Sequence, residues 1–367
     1  MPAWRAGRRC ACPAGAAVAF AAILASWLPI AAARGAQDQE TPVEDSVVFK
    51  PGARYSGAIT LRGTIVDYTS EEITIRLKNG QERTFPSGEV LEFHTSRTTA
   101  WDDADDHVQA HEYILAVTDL QKAFKEEPRP WAQREVLARL AWCYRLQGRW
   151  IDAGETFLSI YENDKNTPFF SAIPLEWIGG ETPFDLRERA RQWLDRRESP
   201  VAVLMGASHL LAGPDRAAAL EKLGELTKHP EPRIAILAAA QIWRTQIGKA
   251  GEDQVYRWEE VIRRLPSSLR AGPYYVVGKG YALARRSEQA ALGFLWLPLV
   301  YDEDPILTAQ ACLEAGDALA ASGHAVEAQT LYREVVVRFG FTPAAAEARL
   351  LLQGLVPRKN SPRDGGS

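Results

Sequence analysis

Residues 134–168 read REVLARLAWCYRLQGRWIDAGETFLSIYENDKNTP, and their spacing decides the fold. In the first half of this stretch, apolar residues recur at offsets of three, four and seven, which places them on one face of a helix. These residues are Leu137, Leu140, Ala141 and Tyr144. Gly148 predicts the end of this helix, because glycine readily adopts the left-handed conformation that follows many helices.

The second half of the stretch presents Ala153, Phe157 and Ile160 at spacings of four and three, which predicts a second helix. The small side chain of Ala153 allows the two helices to approach closely, and we expect Phe157 to fill the space beside Tyr144. A single pair of such helices does not bury its apolar face, so it needs stacked neighbours.

Together these residues resemble the tetratricopeptide repeat, a helical hairpin of about 34 residues. The matching packing positions are Leu137, Leu140, Ala141, Tyr144, Gly148, Ala153, Phe157 and Ile160. The chain departs from the family pattern at Lys165, which stands where a proline usually closes the repeat, and Pro168 follows three residues later. The resemblance implies a mainly α fold, an α-solenoid of stacked hairpins.

Large apolar residues recur along the chain at near-constant distances. They are Leu120, Phe157, Leu223, Trp258, Phe294 and Tyr332, separated by 37, 66, 35, 36 and 38 residues. The 66-residue gap indicates one degenerate unit around residues 169–200, and Gly278 and Gly316 take the small first-helix position in two other units. Residues 232–244 equally suit a HEAT-type helix, and both alternatives predict an α-solenoid over residues 100–356.

The amino-terminal part of the chain has the features of an export signal. In residues 1–36, arginines precede an apolar stretch, 16–33, which small residues follow; this order is typical of a secretory signal peptide. An N-terminal membrane anchor stays open, because about 18 apolar residues just span a bilayer. We therefore expect a protein of the periplasm or cell envelope that touches the membrane only if the segment is not cleaved. Residues 37–46 suit a linker, and residues 357–367 a disordered tail.

In residues 47–96, apolar and polar residues alternate with a period of two. Ile73 and Ile75 alternate with polar residues, which predicts a strand with one buried face. Asn79 and Gly80 predict a two-residue hairpin turn, because both positions accept a positive φ. Several short strands in this order resemble SH3-like or Sm-like proteins in general pattern, and the resemblance implies a small all-β barrel.

Charge and cysteine content limit the function classes. The 43 basic and 47 acidic residues give a net charge of −4, and loss of the first 36 residues, which hold four arginines and no acid, moves it to about −8. An acidic chain without a basic run argues against nucleic-acid binding, which depends on phosphate neutralisation. Cys143 and Cys312 are far apart in sequence, and we expect two packed free thiols rather than a disulfide.

No catalytic constellation is recognisable: there is no phosphate loop, no nucleophile elbow and no clustered metal-ligand pattern. His107 and His111 are four apart but lack a third ligand, so an exposed polar helix turn is the favoured interpretation. Ser208 and His209 lie in an apolar stretch, where a packed histidine is favoured. Residues 169–185 break the repeat and are expected to cover an apolar groove, with ligand recognition as the alternative. We expect no enzyme activity, no cofactor and no metal.

The tetratricopeptide resemblance implies a groove in which first-helix residues bind a peptide or protein segment. The groove candidates are Glu135, Trp142, Arg145, Tyr275, Lys279, Gln310 and Asp317. The sequence therefore favours a non-catalytic interaction scaffold with a protein or peptide partner in the cell envelope, of open oligomeric state. The alternative is an envelope enzyme or enzyme subunit acting on cell-wall material, for which no catalytic residue is identifiable.

Overall fold

A computed structural model describes residues 45–51 and 57–354, which form two compact units that divide between Arg97 and Thr98. The first unit consists of β-strands, and the second is helical. The predicted signal segment 1–36, most of the linker and the tail 357–367 lie outside the described residues. Among the described helices, none combines the length and the apolar character that a bilayer crossing requires.

Five strands make up the described part of the first unit. They are β1 (Asp45–Phe49), β2 (Ile59–Tyr68), β3 (Glu72–Arg76), β4 (Glu82–Pro86) and β5 (Val90–His94). They form one antiparallel sheet in the order β4-β3-β2-β1-β5. β4 and β5 are its two edges, and no ladder joins them within the described residues, so the sheet is open and the predicted closed barrel is not observed.

The sheet is bent at its long central strand. The first half of β2 pairs with β1 and the second half with β3, and the register shifts between Ile65 and Asp67. Such a bulge strengthens local twist. As a result Phe49 of β1 meets Phe85 of β4, with ring centroids 4.6 Å apart, although their strands are not neighbours. Both rings are buried, and so is Ile73, which pairs with Phe85 across the β3–β4 ladder, so these residues belong to a small core.

The turn between β3 and β4 differs from the prediction. Leu77 N–H donates to Gln81 O at 2.9 Å and Gly80 N–H to Leu77 O at 2.8 Å, so the connection has three residues. Gly80 has φ +80°, whereas Asn79 does not take a positive φ. The prediction of a two-residue turn was wrong because asparagine tolerates the left-handed region without requiring it, and a single glycine suffices for a three-residue loop.

Fourteen α-helices make up the described part of the second unit. They are α1 (Thr99–Gln109), α2 (Tyr113–Glu126), α3 (Pro130–Leu146), α4 (Trp150–Asn163), α5 (Phe184–Leu194), α6 (Pro200–Leu210), α7 (Arg216–Leu226), α8 (Pro232–Trp243), α9 (Glu252–Ile262), α10 (Ala271–Leu283), α11 (Ser287–Val300), α12 (Pro305–Ala321), α13 (Ala325–Arg338) and α14 (Pro343–Leu352). The described chain is therefore mainly α, with a small β unit. Prolines open α3, α6, α8, α12 and α14, where a missing N–H costs nothing. Gly148 has φ +74° just beyond α3, which confirms the predicted helix end.

Most helices pack against their neighbours along the chain. The alternate helices α6, α8, α10, α12 and α14 also contact one another in series, and we call these five helices the inner layer. The six large residues that recur along the sequence are all buried. Two of them lie against glycines: a Cβ added at Gly278 would lie 2.5 Å from Phe294 Cδ1, and one at Gly316 would lie 2.5 Å from Tyr332 Cε1. Glycine therefore sets the close approach of these helix pairs.

The two ends of the helical unit touch. Arg145 near the end of α3 pairs with Asp304, which caps α12 by accepting from Ile306 N–H at 3.1 Å. His111, between α1 and α2, lies over Phe341, between α13 and α14, with centroids 4.2 Å apart. The first helices therefore come back to the last ones across more than 150 residues of chain, 159 for the ion pair.

Candidate binding site on the inner layer

An irregular segment, residues 173–182, lies against the inner layer, and we call it the inner segment. It forms the middle of the predicted loop 169–185 and has no helix or strand of its own. Glu176 N–H donates to Ser208 Oγ at 2.9 Å, and Gln241 Nε2 donates to Glu176 O at 3.2 Å. Side chains of α6 and α8 thus hold the backbone of the inner segment, as a groove holds a peptide.

His209 fixes the start of the inner segment. Its Nε2 lies 3.0 Å from Pro174 O, which only accepts, so Nε2 carries the proton of a neutral imidazole. Burial lowers the pKa of His209 to about 4. The Glu176 carboxylate and the Pro174 hydrogen bond oppose this effect, and the cations Arg244 and Arg145 add to it. The predicted packed histidine is confirmed, with a side chain that ties α6 to the loop.

Trp177 inserts where α10 begins. A Cβ at Gly272 would lie 2.5 Å from Trp177 Nε1, so only glycine leaves room for the indole. Phe170 and Leu175 of the same loop are 2% and 1% exposed. The loop therefore covers the apolar surface of the inner layer, as its sequence predicts.

Beside Trp177 lies a cavity of about 290 Å³, which we call the basic pocket. It is lined by Trp177, Ile178, Gly179, Leu211, Ala212, Arg216, Arg244, Thr245, Ile247, Tyr275, Val276 and Lys279. Three of these side chains are cationic and none is acidic. A concave site with an apolar wall and a few convergent charges is the usual form of a ligand site.

Arg244 is the deepest cation of the basic pocket. Its Nη1 donates to Ser208 O at 3.2 Å and also to Gln241 Oε1. Burial lowers the pKa of Arg244, and the Glu176 charge opposes that shift. In the part of the chain that the structure describes, Arg244 forms no ion pair. Desolvation without a paired carboxylate favours an added anion there.

Glu314 of α12 connects three of the predicted groove residues. It accepts from Tyr275 Oη at 2.6 Å, from Lys279 Nζ at 2.9 Å and from Gln310 Nε2 at 3.0 Å. Burial and the Glu314 charge raise the pKa of Tyr275. Sequence reasoning missed Glu314, although it lies four residues after Gln310 and three before Asp317, on the helix face already chosen.

Trp142 and Arg145 lie at a second, smaller cavity of about 40 Å³, which Trp177 also lines. The Arg145 guanidinium lies over the Trp142 ring, 4.6 Å from its centroid. Arg145 is already paired with Asp304, and its side chain is 10% exposed. This arginine therefore holds the unit together and has little charge to offer a ligand.

Two predicted groove residues lie elsewhere. Glu135 is buried and binds Arg139 at 3.1 Å within α3, and Arg139 also pairs with Asp105 of α1. Asp317 accepts a hydrogen bond of 2.7 Å from Tyr332 of α13. Glu135 binds within its own helix and Asp317 joins α12 to α13, and neither side chain lines either cavity.

His107 and His111 face different partners. His107 Nδ1 lies 2.7 Å from Glu112 Oε2, and His111 Nδ1 lies 3.0 Å from Tyr113 Oη. The predicted single helix turn is corrected, because α1 ends at Gln109 and His111 takes φ +61° beyond it. No cluster of three metal-binding side chains occurs within residues 45–51 and 57–354.

The remaining chemical candidates are engaged in packing. Ser208 Oγ accepts from Glu176 N–H while His209 binds Pro174 O, so the two side chains serve separate partners and do not form a relay. Cys143 and Cys312 are buried free thiols, as predicted, and burial raises the pKa of each to about 12. No protein-family model matches the chain, and no curated protein matches it.

Proposed function

We propose that the protein is a non-catalytic interaction scaffold of the periplasm or cell envelope, which binds a peptide or protein segment on its inner layer. The observation that carries this proposal is the inner segment. Side chains of α6 and α8 hold its backbone through Ser208 and Gln241, which is how a groove binds an extended chain independently of sequence. Part of this surface remains open beside it as the basic pocket.

Architecturally, we propose a tetratricopeptide-like α-solenoid. The buried large residues near 36 residues apart and the glycine–aromatic contacts at Gly278 and Gly316 support it. For the β unit we propose an SH3-like or Sm-like relationship. The strand order, with a 3-10 turn (Ser87–Glu89) between the two edge strands, supports that relationship.

The cellular location is proposed from the first 36 residues alone, whose arginines, apolar stretch and small residues suit export. An exported scaffold meets its partner in the envelope. The partner search is therefore best made in intact cells.

The experiment is chemical cross-linking in intact cells, followed by purification of the tagged protein and mass spectrometry. The test variant replaces Arg216, Arg244 and Lys279 by glutamine, and the control replaces Arg333, an exposed arginine of α13, by glutamine. We expect a few envelope proteins to be enriched with wild type and control and lost with the test variant. Equal enrichment with a folded test variant would refute binding at the inner layer.

A further inference from the structure

We infer that the basic pocket is a binding site for an organic monocarboxylate with an apolar body. This inference rests on the proposed function and deepens it, because it names the chemistry that the inner layer recognises. It concerns the space bounded by Trp177, Arg216 and Arg244, which the inner segment leaves open.

The charges of the pocket favour a single negative charge. Lys279 is neutralised by Glu314 at 2.9 Å, which leaves Arg216 and Arg244 as the available cations. Arg216 is exposed and its guanidinium has no protein acceptor among the described residues. Glu176 lies close enough to Arg244 to affect its pKa and reduces the local positive charge. With Lys279 paired to Glu314, the charges of Arg216 and Arg244 less that of Glu176 leave one net positive charge. This charge matches a monoanion better than a phosphate dianion.

The geometry of Arg244 suits a carboxylate. Both of its protein hydrogen bonds leave from Nη1, to Ser208 O and Gln241 Oε1. Its Nε and Nη2 have no acceptor within the described residues, and both keep some exposure to solvent. This edge of the guanidinium is the one that binds both oxygens of a carboxylate.

The walls of the pocket suit an apolar body of limited size. Trp177, Leu211, Ile247 and Val276 line it, and its volume is about 290 Å³. That volume lies at the small end of ligand sites, which start at about 300 Å³. A branched aliphatic or aromatic group of amino-acid size fits such a space, whereas a long chain does not.

Two sources supply this chemistry: the carboxyl terminus of a polypeptide, and a free small acid. A polypeptide end would continue along the inner layer beside the inner segment. A free acid would end within the pocket. The shared requirement is a carboxylate that meets Arg244 while its apolar group meets Trp177.

The test is a calorimetric titration of the full-length protein with matched probes. N-acetyl-leucine and an acetylated hexapeptide ending in leucine are each compared with their carboxamides. We expect each acid to bind at least about tenfold more tightly than its amide, because a charge-assisted hydrogen bond is lost. A hexapeptide acid that binds more tightly than N-acetyl-leucine identifies a chain end, and equal affinities identify a small acid.

Variants locate the site. Arg244→Gln is expected to weaken acid binding about tenfold to hundredfold without changing amide binding, and Arg216→Gln to weaken it less. The Arg216 side chain is exposed and makes no hydrogen bond or ion pair with the described residues, so its variant stays informative if Arg244→Gln is unstable. Arg333→Gln is the control with unchanged affinity.

Acid and amide probes of equal affinity, or acid binding that survives both substitutions, would overturn the inference. Partner enrichment in cells that persists while no acid binds would reject the carboxylate pocket and leave the scaffold standing. Acid binding without any enriched partner would reject the scaffold and leave the carboxylate pocket standing.

Discussion

His209 makes the stability of the helical unit depend on pH. Its pKa is lowered from 6.5 to about 4 by burial. Between these values the unfolded chain binds a proton that the folded chain excludes, so acidification favours unfolding. The contribution of neutral His209 to the free energy of unfolding is fully present above about pH 6.5. It declines as the pH falls towards 4 and changes no further below that. A pKa difference of 2.5 at 1.36 kcal/mol per pKa unit amounts to about 3 kcal/mol.

The assay is urea denaturation at several pH values between 7 and 4, followed by tryptophan fluorescence. Residues 45–97 contain no tryptophan, so the signal does not come from the β unit. The matched variant is His209→Gln, whose Nε2 donates to Pro174 O without titrating. We expect the wild type to lose about 3 kcal/mol more than the variant over this range. An identical pH dependence for both proteins would refute the placement of a neutral, buried imidazole.

Three further perturbations test the packing around the site. Gly272→Ala places a Cβ against Trp177 and is expected to cost about 1–3 kcal/mol of stability, measured by denaturation. Asp304→Asn keeps the α12 cap but leaves Arg145 buried without its charge partner; we expect a loss of about 3–5 kcal/mol by the same measurement. Both described cysteines are expected to resist a thiol reagent in the native protein and to react at the rate of unfolding, because the thiolate is disfavoured.

Each of these has a control. In a Trp177→Ala background, Gly272→Ala should cost little, and an undiminished cost would place the clash elsewhere. Glu82→Gln breaks the exposed pair with Arg76 and should cost no more than about 1 kcal/mol, so an equal effect of Asp304→Asn would contradict a buried pair. Rapid thiol modification of the folded protein would contradict the burial of the cysteines.

The helical pattern was readable because burial follows the 3.6-residue period within each helix. Phe157, Phe294 and Tyr332 are buried for this reason, and Gly148 ends α3 as its chemistry requires. The β unit was readable from its two-residue period, but its closure was not. Whether edge strands meet depends on twist and bulges, which one sequence leaves open.

Only part of the site could be predicted from the sequence, because its decisive contacts join residues that are far apart in the chain. Trp177 and Gly272 meet across 95 positions, and a glycine at the start of a helix carries no sign of the indole beside it. Arg145 fitted the groove pattern, yet its partner Asp304 follows 159 residues later. Glu314 could have been predicted, because helix spacing alone puts it on the same face as the chosen residues Gln310 and Asp317.

We propose that a partner binds beside the inner segment. Site-specific photo-cross-linking in cells tests it most directly, with the photoreactive residue at Ala212 in the basic pocket or at Val337, which is 82% exposed on α13. We expect discrete adducts with the same envelope partner from Ala212, lost with Arg244→Gln, and none of them from Val337. Identical adducts from both positions, or none from Ala212, would contradict it.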